Sequence, residues 1–371
     1  MHKANRYLHD LPDWPKFQWN SEQLAKPLAA IRYQQGRLLG NMEALGFHLR
    51  QEAVLQTLTV DVLKTSEIEG EKLDAEQVRS SVALHLGMDI GALKPADRNV
   101  DGIVEVMLDA TREYQQPLTA ERLFGWHAAL FPTGRSGILR IRAGDWRDDS
   151  AGPMQVVSGP LGHEQVHFEA PVAARLPGEM GLFLRWFNDE TWNTDAVLKA
   201  AIAHLWFVTV HPFADGNGRI ARAIADMALA RSEGSPQRFY SMSAQIGLER
   251  NAYYDTLEQT QKAGMDITPW MIWFLDCLGR AIEAAQITLK DVCARTRFWE
   301  SIQGISLNER QRLMLNRLHN GFEGKLTTVK WAQLGKCSHD TALRDIQELV
   351  NRGILVRAPE GGRSTSYELA R

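Results

Sequence analysis

The strongest signal in the chain is a pair of apolar segments on either side of a short polar stretch. Residues 196–208 are apolar almost all round, which is typical of a helix that is buried on every side. Downstream, Ile220, Ile224 and Met227 recur at helical spacing until Gly234, a residue type that commonly ends helices. The pattern therefore predicts two central helices joined by a polar, glycine-rich turn.

Most of the remaining pattern is helical as well. An apolar stripe predicts a first helix capped by Ser21, and an amphipathic helix covers about residues 55–70 and ends near Gly70. Two more helices are expected between Asp97 and Leu130. Residues 135–170 differ, because short β-prone runs separated by Gly and Pro predict a hairpin with loops. The chain is therefore expected to be mainly α.

Residues 305–371 form a pattern of their own. Helices are predicted over Leu307–Leu315, Thr328–Leu334 and Asp340–Val350, and strands over Ile354–Arg357 and Ser364–Leu369. This order resembles a winged helix-turn-helix. In that resemblance the residues expected to face DNA are Ser338, Asp340, Thr341, Arg344 and, on the wing, Arg363. The last helix also carries Asp345 and Glu348, so DNA is not the favoured partner, and a protein contact is the alternative.

Composition narrows the class of protein without naming a partner. The 371 residues are 44% hydrophobic and 23% charged, with a formal net charge of −3, an ordinary profile for a soluble protein. Cys277, Cys293 and Cys337 are far apart and match no metal or redox spacing. Because no signal peptide is recognised and the apolar run 270–278 is too short to span a bilayer, we expect a cytoplasmic protein with no membrane partner.

The polar stretch between the central helices, HPFADGNGRIAR at residues 211–222, carries the chemistry. A glycine-rich turn that opens onto a helix directs backbone N–H groups outward and makes an anion site. Arg219 and Arg222 add positive charge one turn apart, and Asp215 is suited to a divalent cation that also contacts phosphate. His211 is of the residue type that, when unperturbed, titrates near neutrality. The stretch predicts a site that binds nucleotide phosphates and deprotonates a hydroxyl.

This stretch resembles the signature of the Fic family, H-x-F-x-D/E-G-N-G-R-x-x-R, with no departure at any specified position. The resemblance implies an all-helical Fic core with a β-hairpin flap. It also implies a protein adenylyltransferase, a nucleotidyltransferase that moves AMP from ATP to a Ser, Thr or Tyr hydroxyl of a target protein with the help of Mg²⁺.

The resemblance assigns roles to the residues of the stretch. His211 is expected to be the catalytic base, and Asp215 the ligand of Mg²⁺. Arg219 and Arg222 are expected to neutralise the β- and γ-phosphates, for which a guanidinium is better suited than an ammonium. The residues expected to contact the nucleotide in this stretch are Asp215, Gly216, Asn217, Gly218, Arg219, Ile220, Ala221 and Arg222.

A second stretch is predicted to regulate this site. Glu69 lies at the C-terminal end of a helix, where the helix dipole disfavours a carboxylate, so it is expected to need a cationic partner. Thr65-x-x-x-Glu69-Gly70 resembles the inhibitory motif S/T-x-x-x-E-G/N of Fic proteins. The resemblance implies that Thr65, Glu69 and Gly70 are regulatory, and that Glu69 pairs with Arg222 and displaces the γ-phosphate.

Other parts of the chain are placed by resemblance alone. The runs around Val156 and Phe168 correspond to the flap that holds an extended target segment by strand addition. Tyr254 and Gln261 are expected to contact the base or the ribose of the nucleotide. We expect an N-terminal helical region at 1–95 with the inhibitory helix, a Fic catalytic core at 96–290, and a linker helix with a winged helix-turn-helix at 291–371.

Several functions remain open at this point. A Fic fold also transfers other groups, such as UMP, phosphate or phosphocholine, and Glu69 is equally suited to position water so that the same site removes AMP. A DNA-binding regulator with a nucleotide-sensing core, and a scaffold without activity, are the readings outside catalysis. A homodimer is expected from the family alone.

Overall fold

The computed structural model describes residues 7–89, 94–150, 152–159, 163, 165–191, 194–319, 322, 324–358 and 365–370. Within them the chain divides into two compact units, residues 1–287 and 288–371. Both units are mostly helical. No helix of the described residues combines the length and the apolar character needed to cross a membrane.

The first unit holds eleven helices within the described residues, of which the last continues into the second unit. They are α1 Ser21–Glu43, α2 Phe47–Ile68, α3 Ala75–His85, α4 Arg98–Arg112, α5 Ala120–Leu130, α6 Leu176–Asn188, α7 Ala196–Val210, α8 Asn217–Glu233, α9 Met242–Leu248, α10 Arg250–Gln261 and α11 Thr268–Ser301. Short 3₁₀ turns lie at Leu8–Asp10 and Ala173–Arg175. The prediction of a mainly helical fold is confirmed.

Helices α7 and α8 form the centre of this unit. From Val197 to Val210 every residue of α7 except Lys199 is buried, as its apolar sequence predicts. Helix α8 packs against α7 and is buried from Asn217 to Ala230 with the exception of Gly218. It ends at Gly234 in the left-handed conformation, at φ 60°, where the sequence predicts its end.

The α1 cap differs from the prediction. Asn20, not Ser21, caps this helix, because the Asn20 side chain accepts hydrogen bonds from the N–H groups of Glu22 and Gln23. Asn and Ser cap helices about equally well, so two adjacent candidates cannot be separated by residue type. The hydrogen bond from the Asn20 N–H to Thr268 Oγ1 ties Asn20 to the start of α11 and places it outside the helix.

Two antiparallel hairpins interrupt the helices between α5 and α6. Strands β1 Arg135–Ser136 and β2 Leu139–Arg140 form the first, and β3 Gln155–Ser158 and β4 Gln165–Glu169 the second. Phe168 of β4 is buried against Tyr7 and Ala170. The N-terminal segment therefore packs against the base of the second hairpin, and the His9 side chain also hydrogen-bonds the Glu169 carbonyl at 2.8 Å.

The second unit has its own core. Helices α12 Glu309–His319, α13 Thr328–Leu334 and α14 His339–Asn351 accompany strands β5 Leu326–Thr327, β6 Leu355–Arg357 and β7 Ser366–Leu369 in an antiparallel sheet of order β5-β7-β6. Trp331, Ile346 and Leu349 are buried at its centre. These elements follow the predicted order, whereas the assignment to the winged helix class stays a prediction. The predicted wing residue Arg363 lies outside the described residues.

Candidate active site

His211 lies directly after the last residue of α7, in the left-handed region of backbone space at φ 50° and ψ 58°. Its N–H still bonds the Phe207 carbonyl at 2.9 Å, and its own carbonyl accepts a hydrogen bond from Arg147 Nε at 2.8 Å. A non-glycine residue in this conformation is strained and is held only by its surroundings. These two bonds therefore fix the direction in which the imidazole leaves the backbone.

The imidazole is prepared to accept a proton. Its Nδ1 lies 3.2 Å from the Val208 carbonyl, and a carbonyl can only accept, so Nδ1 carries the hydrogen and Nε2 carries the lone pair. Burial lowers the pKa of His211 from 6.5 to about 4, against the opposing effect of its bond to the Val208 carbonyl. The ring is therefore neutral at pH 7, as a general base must be.

The turn after His211 is closed by one side chain. The Asn217 amide accepts from the Phe213 N–H at 3.0 Å and donates to the Phe213 carbonyl at 2.8 Å. The Phe213 ring is fully buried and stacks on His127, with centroids 4.2 Å apart and an interplanar angle of 15°. Asn217, expected to face the nucleotide with its amide, therefore uses that amide to hold the loop.

Gly216 begins α8 without a side-chain cap. Its φ of +78° is in the left-handed region, and a Cβ there would lie 2.9 Å from the Phe131 ring. Glycine is therefore required by both backbone and space. Since no side chain caps α8, the N–H groups of its first turn remain for an anion.

The two arginines of α8 lie beside this helix start, and carboxylates from the end of α2 contact both. Arg222 donates from Nη2 to Glu69 Oε1 at 2.7 Å and to the Thr65 carbonyl at 2.9 Å, and from Nε to Thr65 Oγ1 at 2.7 Å. Arg219 donates from Nη1 to Glu71 Oε2 at 2.9 Å. The structure thus brings together Thr65, Glu69 and Arg222, which the sequence pairs only by resemblance.

Each of these arginines keeps a buried nitrogen without a hydrogen-bond partner among the described residues, Nε in Arg219 and Nη1 in Arg222. Buried polar groups are nearly always hydrogen-bonded, and an exception calls for an explanation. Two buried cationic donors beside an uncapped helix start are the donor set of an anion site.

Comparison with known proteins agrees with this geometry. The profile of the Fic/DOC family matches residues 117–229, which contain α5 to most of α8 and therefore the whole loop. Residues 117–229 therefore form a Fic/DOC family domain. A second profile, a domain of unknown function (DUF4172), matches residues 7–88 and so includes Thr65, Glu69 and Glu71.

Relatives with assigned names match only part of this chain. Protein adenylyltransferase Fic of Drosophila yakuba is 34% identical over 112 residues, which are 29% of this chain and 21% of that protein. Protein adenylyltransferase fic-1 of Caenorhabditis elegans is 50% identical over 52 residues, 14% of this chain and 10% of that one. The chain thus covers about a fifth or less of the length of these relatives.

Two solved structures share the fold of this chain. A Fic family protein from Desulfovibrio desulfuricans aligns with a TM-score of 0.50 at 21% identity, over 92% of this chain and 95% of its own. A Fic domain containing signaling protein from Bacteroides thetaiotaomicron aligns with a TM-score of 0.51 at 19% identity, over 70% of this chain and 97% of its own.

The carboxylate of the Fic loop is anchored on both oxygens. Asp215 Oδ1 accepts the Gly216 N–H at 2.6 Å, and Oδ2 accepts a hydrogen bond from Ser136 Oγ in β1. Among the described residues no group of three or more His, Cys, Asp or Glu is arranged to hold a metal. A single carboxylate is suited to Mg²⁺, which commonly takes its other ligands from phosphate and water.

Four other residues that are predicted to contact the nucleotide are buried or already engaged within the protein. Gln261 is buried, and its amide donates to Thr209 Oγ1 at 3.2 Å. Tyr254 is half-buried beside Arg250, whose guanidinium lies 5.3 Å from the ring centroid. The side chains of Ile220 and Ala221 are fully buried, and the Ile220 N–H bonds the Gly216 carbonyl. A role for these four residues in nucleotide binding stays a prediction.

Sequence reasoning missed three residues of the site: Ser136, Arg147 and Glu71. Arg147 is buried and joins the His211 carbonyl to the Pro171 carbonyl at the base of the second hairpin. Arg147 ends the run Gly144-Asp145-Trp146-Arg147 shortly before the second hairpin, but nothing in the pattern gives it or Ser136 a role. Glu71 had a local signal, because it follows Gly70 at a predicted helix end.

Proposed function

We propose that this Fic-domain protein is a protein adenylyltransferase that transfers AMP from ATP to a Ser, Thr or Tyr hydroxyl of a target protein. The observation that carries the proposal is the neutral His211 at the end of α7, five residues before Gly216 begins an uncapped helix whose two arginines keep buried, unpartnered donors. A base and an anion site side by side suit the attack of a hydroxyl on a phosphate.

In the proposed step one bond to the α-phosphorus of ATP forms and another breaks. The target hydroxyl oxygen forms a bond to the α-phosphorus of ATP, and the bond from that phosphorus to the oxygen bridging to the β-phosphate breaks. The hydroxyl proton moves to Nε2 of His211, which is unprotonated because Nδ1 faces the Val208 carbonyl. Pyrophosphate leaves with the bridging oxygen.

The first turn of α8 stabilises the charges of this step. Backbone N–H groups of Asn217 and Gly218 act on the α-phosphate, where charge accumulates as the bond forms, whereas the Gly216 N–H is held by Asp215 Oδ1. Arg219 and Arg222 act on the β- and γ-phosphates that leave. Asp215 would hold Mg²⁺, which neutralises phosphate charge when bound.

In this proposal Glu69 inhibits the enzyme in cis. Its Oε1 bonds Arg222 at 2.7 Å, and a Cβ at Gly218 would lie only 2.2 Å from the same oxygen. The Glu69 carboxylate therefore lies over the backbone of the anion site as well as on the arginine. A bias of about 1–2 kcal/mol toward this arrangement would favour it roughly five- to thirtyfold.

The test uses ATP labelled on the α-phosphate, with Mg²⁺, and reads the label transferred to protein, on the chain itself or in a lysate. Glu69→Gly should label strongly, the wild type weakly and His211→Ala not at all. Matched folding of the three proteins is checked by thermal unfolding. Absence of label in all three folded proteins would remove the AMP-transfer proposal, and UTP and γ-labelled ATP would then be tested as donors.

A further inference from the structure

The turn after α2 brings a second carboxylate to the anion site. Glu71 Oε2 lies 2.9 Å from Arg219 Nη1, with 37% of the Glu71 side chain and 8% of the Arg219 side chain exposed. Among the described residues this is the one hydrogen bond of the Arg219 side chain, whose guanidinium carbon also lies over the Phe131 ring, 5.0 Å from its centroid. The proposed function gives Glu71 no role.

The helix end explains why both carboxylates reach α8. The Glu71 N–H bonds the Ser66 carbonyl at 3.0 Å and the Gly70 N–H bonds the Glu67 carbonyl at 3.0 Å, which is the Schellman arrangement. Gly70, the residue between Glu69 and Glu71, has a φ of +84°. The chain therefore reverses after Glu69, and Glu71 is returned toward the same helix.

The spacing of the two carboxylates suits that of the two arginines. Arg219 and Arg222 are three residues apart, so their side chains are neighbours on one face of α8. Glu69 contacts the inner arginine and Glu71 the outer one. Two carboxylates on adjacent guanidinium groups reproduce the charge pattern of two linked phosphates.

We propose that Glu71 is a second inhibitory residue, which competes with a nucleotide phosphate for Arg219 while Glu69 competes for Arg222. The proposal rests on the proposed function, because it assumes that a nucleotide occupies this anion site. The two carboxylates oppose different phosphates. Removal of Glu71 therefore favours any nucleotide with a β-phosphate, whereas removal of Glu69 favours ATP over ADP.

The test measures dissociation constants of AMP, ADP and ATP with Mg²⁺ for the full chain by calorimetry. Glu71→Ala is compared with wild type and with Glu67→Ala, a matched control from the last turn of α2 whose carboxylate pairs with Lys64 at 2.7 Å instead of an α8 arginine. We expect Glu71→Ala to bind ADP and ATP roughly three- to fivefold tighter, the range of a partly exposed ion pair. AMP binding should not change, and Glu67→Ala should match wild type for all three.

Two further variants complete the design. Glu69→Ala should gain affinity for ATP but little for ADP, and Glu69→Ala/Glu71→Ala should exceed either single variant for ATP. If Glu69→Ala gains ATP affinity while Glu71→Ala leaves ADP unchanged, Glu71 is a surface ion pair only and the proposal fails with the proposed function intact. An equal gain for AMP overturns it too. If no folded variant binds any nucleotide, both proposals fail together.

Discussion

Helices α8 and α14 begin in opposite ways, although each follows a turn in its own unit. At the start of α14 the Ser338 hydroxyl accepts the Thr341 N–H at 3.2 Å, so the sequence caps its own helix. At the start of α8 there is no side-chain cap, and the residue in that position is Gly216. An uncapped start is less stable by itself, and it is the one that leaves its donors to a ligand.

The charged residues differ in the same way. In the second unit Arg310 bonds Asp345 at 2.8 Å and Arg352 bonds Glu348, so these two acidic groups of α14 are paired within the unit. In the first unit Arg219 and Arg222 are paired by residues of a separate helix and keep unpartnered nitrogens. Buried charge that is paired only in part indicates a ligand site better than a full set of ion pairs does.

The largest effect is expected from a side chain that obstructs the uncapped start of α8. Gly216→Ala forces a Cβ against Phe131 in a left-handed conformation, which should cost roughly 1–3 kcal/mol of stability. Labelling by the Glu69→Gly background should fall at least about a hundredfold, because the loop donors move. The matched control is Gly234→Ala, at φ +60° with no atom within 4 Å of the new Cβ. Equal labelling by both would refute the role of the α8 start.

The pH dependence of labelling tests the protonation state of His211, the base that precedes α8. Because burial lowers the His211 pKa to about 4, the base stays neutral at pH 5.5, and Glu69→Gly should label within about twofold of its rate at pH 7.5. A histidine with the reference pKa near 6.5 would lose about tenfold over this range. ATP binding measured at both pH values separates the base from the nucleotide. A tenfold loss of rate with unchanged binding would contradict the lowered pKa of His211.

A third prediction extends the comparison to buried carboxylates. Burial, with the neighbouring Asp61 carboxylate next in effect, raises the pKa of Asp226 in α8 to about 8. Arg238 bonds Asp226 at 2.8 Å and also faces Glu233, so one guanidinium serves several carboxylates. In the second unit, by contrast, Asp345 has both Arg310 and Asn308.

The raised pKa of Asp226 makes the free energy of unfolding depend on pH. The folded protein keeps the Asp226 proton up to about pH 8, whereas the unfolded chain releases it near pH 4. The free energy of unfolding should therefore fall as pH rises between these values, by up to about 1.4 kcal/mol per unit. Asp226→Asn and Asp61→Asn should both flatten the dependence of Tm on pH. An unchanged slope in both variants would show that the proton lies elsewhere.

The smallest effect is expected at the capped helix. Ser338→Ala removes the α14 cap and should lower the stability of the second unit by about 1 kcal/mol, seen as a shift of its thermal transition. Labelling by Glu69→Gly should be unchanged. Ser338→Asp, which restores a cap, should recover the transition, and a failure to recover it would mean that the hydroxyl acts through something other than the cap.

Local interactions explain what could be predicted. The loop from His211 to Arg222 is closed by Asn217 on Phe213, four residues away, so the motif contains its own closure. The ends of α2 and α8 were placed correctly because Gly70 and Gly234 take the left-handed conformation that their type permits. The order of helices and strands in the second unit follows from periodicity in the same way.

Long-range contacts were decided by the tertiary structure. Glu69 and Glu71 lie two residues apart, and only the packing of α2 directs Glu69 to Arg222, 153 residues away, and Glu71 to Arg219, 148 residues away. Glu67, two residues before Glu69, instead accepts a hydrogen bond from Lys64 of its own helix, a local contact. The bond from Ser136 to Asp215 is of the same kind. The sequence by itself determined the anion loop, because its geometry is fixed by neighbours along the chain. Which carboxylates contact that loop depends on how α2 and α8 pack. Residues about 150 positions apart meet there, and a local sequence pattern carries no information about such contacts.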